Sequence, residues 1–469
     1  MQQTSIKKNF VYKSILTIST YIIGFITFPY ISRIFGVEKL GLVNFVDNTI
    51  NYFLLFATMG IALIGVREIA AVKNNQNKLN LVFSNILGLN IIFTLFTLVV
   101  YYGLIKFIPT LNQYAFLFYI GAAKIFFSAF IIEWFFSGIE DFRYITIRSI
   151  IIKILYVVSV FIFVKHQNDY ILYFVLTVLT IVVNASINIL YVRRYVKIRI
   201  VDLFSLKYFK SNITIGVCAI MSSMYLTFNV IYLGFVSNNI QVGYYSTAFK
   251  LYSVILGFFS AYTNVVMPRM SVLLAYEDNN TFIRLIERSL SIIIGYSVPI
   301  VMYTVVMASD IICLISGNGY EGAVLPMRII MPAILFVGIA QVIAIQLLMP
   351  LKKDNILMGV TIIGAILSIV MNVTLTAEMK SIGSALILLL SELIVTISYL
   401  LYIGYIKIIV FPYKEMLLTI FVYLPFIPLS FVICNYCGSP IIRLFLTGLL
   451  IGVYVIIVNK LTKGKYFYY

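Results

Sequence analysis

Residues 242–270 read VGYYSTAFKLYSVILGFFSAYTNVVMPRM, and this stretch indicates the fold class of the chain. It is long and apolar enough to cross a bilayer, for which an α-helix needs roughly 20 apolar residues. Lys250 nevertheless lies about 10 Å below its outer end, from the rise of an α-helix. A charge there costs roughly 2.5–3.5 kcal/mol on insertion scales, so it must face protein or water. The stretch therefore predicts a membrane helix with a polar face.

The rest of the 469-residue chain has the same character, since 62% of it is hydrophobic and only 11% is charged. A soluble protein of this size could not cover its surface with so few polar residues. We predict an all-α polytopic membrane protein with about 14 (12–14) transmembrane helices. The predicted spans are 14–34, 42–64, 81–105, 114–137, 146–165, 170–192, 213–236, 243–267, 287–309, 323–349, 356–376, 382–407, 415–435 and 440–460.

The formal charge of +17 would suggest a nucleic-acid partner in a soluble protein. Here, most lysines and arginines of the predicted loops fall on the side that holds both termini. The positive-inside rule therefore predicts cytoplasmic termini and no nucleic-acid partner. The longest connection, residues 193–212, is basic and amphipathic, and is predicted to lie on the membrane surface.

The two halves of the chain carry a repeat with a shift of 202 residues. Gly41 falls on Gly243 and Arg67 on Arg269, so one span begins and ends in the same register in both copies. Polar positions also coincide: Asn44 with Ser246, Asn48 with Lys250, Asn51 with Ser253, and Thr27 with Asn229. Because six spans lie in each copy, we predict a parallel repeat.

The repeat also predicts the domain organisation. We expect an N-terminal six-helix bundle over residues 1–195 and a basic cytoplasmic linker over 196–212. A C-terminal six-helix bundle over 213–410 and two additional helices over 411–469 complete the chain.

Polar residues follow one face of the repeated helix at steps of three and four residues. One interpretation is a tight helix interface held by small residues and hydrogen bonds. The charges and amides in the stripe favour the other, a water-filled cavity between the halves. The predicted lining residues are Asn44, Asp47, Asn48, Asn51, Ser246, Ser253 and Asn229.

Other charges lie inside predicted spans. Lys124 is about 15 Å inside its span and Arg328 is nearer an outer end. These cations could bind an anionic substrate such as phosphate, or pair with acids and fix helix packing, for example Lys250 with Asp47. Asp47, Glu133 and Glu392 are possible ion-coupling carboxylates.

Signatures of enzymes are missing from the sequence. There is no Walker phosphate-binding loop and no cluster of His, Cys and Asp with metal-ligand spacing. We therefore expect a protein that is not an enzyme and that has neither cofactor nor metal.

The opening segment KKNFVYKSILTISTYIIGFITFPYISRIFGVEKLGLVNF, at 7–45, and GIALIGVREIA, at 60–70, resemble polysaccharide repeat-unit flippases of the Wzx type. The stretches VGYYSTAFKLYSVI and VVMPRMS resemble the corresponding region of the second half. These proteins belong to the superfamily of multidrug and lipid II exporters. The resemblance implies two six-helix bundles around a central cavity, with extra C-terminal helices.

The resemblance also implies a function in O-antigen or capsule synthesis, in the bacterial inner membrane. The implied activity moves undecaprenyl-diphosphate-linked oligosaccharide to the outer leaflet, using an ion gradient. Arg33, Lys124, Lys250 and Arg328 become candidates for binding the diphosphate or an anionic sugar. Many relatives have aspartate near the position of Asn229, so its absence here argues against coupling through that helix.

Several alternatives stay open at the level of the sequence. The same fold could export drugs or flip lipid II, and a membrane polysaccharide polymerase or lipid transferase is a further possibility. The short predicted outer loops argue against that enzyme class. Expected partners are the lipid-linked oligosaccharide, the bilayer, and the polymerase and chain-length proteins of the same pathway.

Overall fold

A computed structural model describes residues 6–224, 227–276 and 278–461 of the chain, and all of their regular structure is helical. Residues 1–5 and 462–469, the outer ends of the first and last predicted domains, lie outside this description. Among the described residues, 11 helices are long and apolar enough to cross a membrane. The prediction of an all-α polytopic membrane protein is confirmed.

Two compact units divide the chain, Met1–Ile231 and Tyr232–Tyr469. The first contains nine helices among its described residues, and a tenth, α10 (Phe228–Val236), runs across the boundary. The nine are α1 (Ile6–Ala57), α2 (Ile61–Val72), α3 (Gln76–Phe107), α4 (Pro109–Asn112), α5 (Ala115–Ser128), α6 (Glu133–Gly138), α7 (Phe142–Phe163), α8 (Tyr170–Val192) and α9 (Phe209–Met224).

The second unit contains ten helices among its described residues and two π-helical segments, Val342–Leu348 and Asn372–Thr376. The helices are α11 (Asn239–Ala275), α12 (Asn279–Val306), α13 (Ala308–Ser316), α14 (Val324–Ile330), α15 (Ala333–Gln341), α16 (Asp354–Met371), α17 (Ala377–Ile406), α18 (Tyr413–Tyr423), α19 (Phe426–Tyr436) and α20 (Pro440–Leu461).

Two very long helical stretches each contain a break. Gly36 interrupts α1 at φ 67° and ψ 175°, and Lys380 interrupts α17 at φ 52° and ψ −127°. Glycine adopts such a φ freely, whereas lysine there is strained. The apolar stretches Val11–Ala57 and Asp354–Ile406 therefore each contain residues of two predicted spans. The predicted span 213–236 is not among the 11 helices, so the count of fourteen stays a prediction.

The helix boundaries follow the repeat read from the sequence. Gly36 breaks α1 at the position that corresponds to Asn238, the N-cap of α11. The N-cap of α3 is Asn75, and that of α12 is Asp278, one residue from the repeat position. In each of these three caps a side-chain oxygen accepts a backbone N–H of the first turn, which such a helix start requires. The two copies therefore start α3 and α12 with the same chemistry, whereas a glycine in the first copy stands opposite the Asn238 cap of the second.

The segment that follows α8 lies along α3. The backbone N–H groups of Lys197 and Arg199 donate to Asn80 Oδ1 (3.0 Å) and Ser84 Oγ (2.9 Å) of that helix. Gly88 makes room for the next turn, since a Cβ there would lie 1.8 Å from the carbonyl oxygen of Leu203. The side-chain acceptors of Asn80 and Ser84, together with the close approach that Gly88 permits, hold this part of the basic connection against α3.

We expect Gly88→Ala to destabilise the protein by about 1–3 kcal/mol, the usual range for overpacking against backbone. Gly103→Ala on the same helix is the matched control, because no atom lies within 4 Å of its added Cβ. Alanine there should be neutral or stabilising by up to about 1 kcal/mol. Thermal unfolding of the purified protein and proteolysis of residues 193–212 measure both effects. Equal behaviour of the two variants would show that the connection does not lie on α3.

The last three helices pack on the second unit through α12 and α13. Ser291 Oγ of α12 donates to Glu415 Oε2 (3.0 Å), and Tyr303 Oη donates to the carbonyl of Leu444 (3.0 Å). Arg443 and Asp310 form an ion pair at 3.4 Å. These contacts fix α18 to α12, and α20 to α12 and α13.

Candidate functional site

The polar stripe of the first unit lies on the part of α1 that follows Gly36. Asn44, Asp47 and Asn48 are half-buried there and Asn51 is exposed, whereas Phe45, Val46, Thr49 and Ile50 of the opposite face are buried. Asn48 Nδ2 donates to the carbonyl of Asn44 (2.8 Å), and Asn51 Nδ2 donates to Asp47 Oδ2 (3.2 Å). The predicted lining residues of this half thus share one accessible face.

Lys124 of α5 forms an ion pair with Asp47 Oδ1. Its side chain is only 6% exposed, and its Nζ also lies 5.3 Å from the ring centroid of Phe174 on α8. The Asp47 side chain is 33% exposed, so polar molecules can reach the carboxylate end of the pair, whereas the lysine end is shielded from water. A buried ammonium needs such compensation, which the carboxylate and the aromatic ring supply.

A second buried cation, Arg148 of α7, lies inside the bundle and was not among the predicted site residues. It pairs with Glu133, donates to Asn188 Oδ1, and lies 5.4 Å from the ring centroid of Tyr144. Its side chain is 4% exposed, against 42% for Glu133. Asn188 in turn donates to the carbonyl of Ile131, and so links α8 to the chain before α6. The i, i+4 spacing of Tyr144 and Arg148 was the signal available in the sequence.

The equivalent stripe of the second unit lies on α11. Ser246 is buried with no hydrogen bond to its hydroxyl among the described residues, whereas Lys250 and Ser253 are half-buried. Ser253 Oγ donates to the carbonyl of Lys250 (2.8 Å). Further along the helix, Ser260 exchanges hydrogen bonds with Gln341 of α15 at 3.0–3.2 Å. Part of this stripe is thus a helix contact, whereas Lys250 is half-buried.

The remaining predicted site residues are dispersed. Arg328 is exposed at the end of α14, and its Nε donates to the carbonyl of Val305 in the last turn of α12 (3.2 Å), which suits a cation at a helix C-terminus. Arg33 is exposed just before the break at Gly36, and Asn229 is fully buried in α10.

Glu392 of α17 is the most enclosed predicted carboxylate. It is 3% exposed, and no donor among the described residues hydrogen-bonds to its carboxylate. A carboxylate in that environment is stable only when it is protonated or has bound a cation. No group of three or more His, Cys, Asp or Glu residues with metal-binding geometry occurs among the described residues.

Comparison with known proteins assigns the family. Residues 6–274, more than half of the chain, match the family described as "Polysaccharide biosynthesis protein". The chain belongs to this family. The resemblance seen in the sequence is thereby confirmed.

Two curated relatives and two solved structures extend the match. The chain is 26% identical to the putative O-antigen transporter of Escherichia coli (strain K12) and 25% identical to that of Shigella dysenteriae. The first match covers 85% of this chain and 97% of the relative, and the second covers 83% and 98%. Both relatives are named as transporters, which supports the expectation that the chain is not an enzyme.

The fold is similar to that of lipid II flippase MurJ in an inward closed conformation, with a TM-score of 0.80 and 15% identity. That match covers 97% of this chain and 99% of MurJ. An inward-facing multidrug resistance MATE family transporter gives a TM-score of 0.59 and 14% identity, over 87% of this chain and 96% of that protein. The two matches show the fold alone.

Proposed function

We propose that this protein is a flippase that moves undecaprenyl-diphosphate-linked oligosaccharide from the cytoplasmic to the outer leaflet of a bacterial inner membrane. Transport proceeds by alternating access and is coupled to an ion gradient. Both termini face the cytoplasm, and the bundles and linker follow the boundaries 1–195, 196–212, 213–410 and 411–469. The O-antigen transporters among its relatives and its family support the substrate class.

The observation that carries the proposal is the Lys124–Asp47 ion pair on the accessible stripe of α1. Lysine is a usual partner of phosphate, and a diphosphate brings more negative charge than one carboxylate. The substrate can therefore take over the ammonium group from Asp47. The displaced carboxylate, already 33% exposed, then binds a proton or a metal cation, and this exchange couples ion movement to substrate binding.

The charges on the polar stripes also help to distinguish the candidate substrates. A cationic drug would be repelled by the half-buried Lys250 of α11, which disfavours the multidrug exporter. Lipid II shares the polyprenyl diphosphate, so the charge does not distinguish it, whereas the family match favours a polysaccharide intermediate. We propose the polymerase and chain-length proteins of the same pathway as partners.

Deleting the gene should cause a lipid-linked glycan to accumulate on the cytoplasmic side, and the wild-type gene should restore surface polysaccharide.

Lys250→Ala should lower export roughly 10–100-fold, because a charge-assisted hydrogen bond to phosphate contributes about 1.5–3 kcal/mol. Lys250→Arg should retain part of it. The measurement is mass spectrometry of extracted lipids together with surface polysaccharide staining.

Lys414→Ala is the matched control, an exposed lysine near the start of α18, and it should restore export fully. Accumulation of lipid II instead of the glycan lipid would assign the protein to lipid II flipping. Normal lipid pools in the deletion strain would contradict a flippase function altogether.

A further inference from the structure

A groove of about 550 Å³ lies between α7 and α8 in the first unit, and the proposed transport does not use it. Except for Arg148, its charged and tyrosine residues lie near the start of α7, and isoleucines line the rest. The lining residues are Asp141, Arg143, Tyr144, Ile147, Arg148, Ile151, Ile152, Ile187 and Tyr191. We call it the α7–α8 groove.

The length of the α7–α8 groove matches one leaflet of a membrane. From Arg143 to Ile151 the helix rises about 12 Å, while half of a hydrocarbon core is about 15 Å. Ile147, Ile151 and Ile187 are exposed along this length, as side chains in contact with lipid are. The polar end lies at the start of α7, which the positive-inside rule predicts to be cytoplasmic. An apolar trough thus leads from the interface into one leaflet.

The charges at the polar end favour an anion. Both carboxylate oxygens of Asp141 are occupied, Oδ1 by the backbone N–H of Tyr144 and Oδ2 by the hydroxyl of Tyr195, each at 3.2 Å. Burial raises the pKa of the Tyr195 phenol well above its ordinary value, so its proton stays in this bond. Glu133 is neutralised by Arg148.

The arginines at the same end remain able to bind a ligand. Arg143 is exposed, and the guanidinium of Arg194 lies 5.2 Å from the ring centroid of Tyr191, a groove residue. Farther along α7, Arg148 is 95% buried and its charge is balanced by Glu133, although its Nε has no hydrogen-bond partner among the described residues. The polar end therefore has more positive than negative charge available to a ligand.

We propose that the α7–α8 groove binds one anionic phospholipid of the cytoplasmic leaflet. Its acyl chain lies along Ile147, Ile151 and Ile187, and its phosphate contacts Arg143 with Arg194 beside it. A groove confined to one leaflet fits an ordinary phospholipid better than the longer polyprenyl chain of a transport substrate. The bound lipid holds α7 against α8 where Arg148 and Asn188 join them, and so stabilises the first unit.

Native mass spectrometry of the full-length protein with added phosphatidylglycerol tests this site, with thermal unfolding in the same lipid as a second measurement. We expect one tightly retained phosphatidylglycerol and a higher Tm than in phosphatidylcholine. Arg143→Gln, which removes the exposed cation, and Ile151→Trp, which fills the trough at a lipid-facing position, should each weaken retention about tenfold.

Two controls isolate the groove from the general effect of an anionic bilayer. Lys78→Gln removes an exposed lysine near the start of α3, and Ile154→Trp enlarges an exposed α7 residue that does not line the groove. Both should retain phosphatidylglycerol as the wild type does. Equal loss in controls and groove variants, or equal retention of phosphatidylcholine, would overturn the proposal. Undecaprenyl phosphate displacing phosphatidylglycerol at equimolar amounts would overturn the choice of occupant.

Discussion

Lys124→Ala is expected to lower export of the lipid-linked glycan at least tenfold, while the protein still inserts and accumulates. The substitution removes the phosphate-binding ammonium, whose contact contributes about 1.5–3 kcal/mol. It also leaves Asp47 without its cation, but this carboxylate is 33% exposed, so water can solvate it and the loss of stability should be about 1–2 kcal/mol. Lys124→Arg should retain part of the export. Surface polysaccharide and protein level measured in the same cells separate the two effects.

The double variant Asp47→Asn with Lys124→Met decides between function and packing. It removes both charges, so a pair that only fixed the helices should be replaceable with little effect on stability or export. We expect a folded protein that exports nothing. Lys106→Ala, an exposed lysine at the end of α3, is the control and should export normally. Restored export in the double variant would refute a role for this pair in substrate binding.

Arg148→Met should destabilise the protein by about 2–3 kcal/mol, the largest loss of stability that we expect from one side chain. Breaking a fully buried pair costs about 3–5 kcal/mol, but the partner Glu133 is 42% exposed and can be partly solvated. Asn188 also loses a donor, although Tyr144 Oη still bonds to it at 3.0 Å. Thermal unfolding of the purified protein measures the effect.

The control and the paired variant make this prediction specific. Arg67→Met breaks an exposed ion pair with the neighbouring Glu68, which should cost less than about 1 kcal/mol. Adding Glu133→Gln to Arg148→Met should recover part of the lost stability. Should Glu133→Gln alone stop export without changing Tm, Glu133 would be a coupling carboxylate and not a structural partner of Arg148.

The membrane class and the polar stripes could be read from the sequence because they depend on local pattern. Hydropathy over about 20 residues predicts a span, and polar residues at three- and four-residue steps share a helix face wherever that helix lies. Asn44, Asp47, Asn48 and Asn51 accordingly share the accessible face of α1. The breaks at Gly36 and Lys380 were not predicted as bends within continuous helical stretches, since hydropathy carries no φ angle.

The partners of the charges were decided only by the tertiary structure. Lys124 and Asp47 are 77 residues apart, and Arg148 meets Asn188 40 residues away, so no local pattern could select these pairs. Arg148 lies only two residues inside the predicted span 146–165, so nothing in the sequence distinguished it from an arginine that snorkels to the interface. The sequence by itself determined that each buried charge needs compensation, because ions are costly in hydrocarbon. The packing of distant helices decided that the compensation comes from Asp47 for Lys124 and from Glu133 and Asn188 for Arg148.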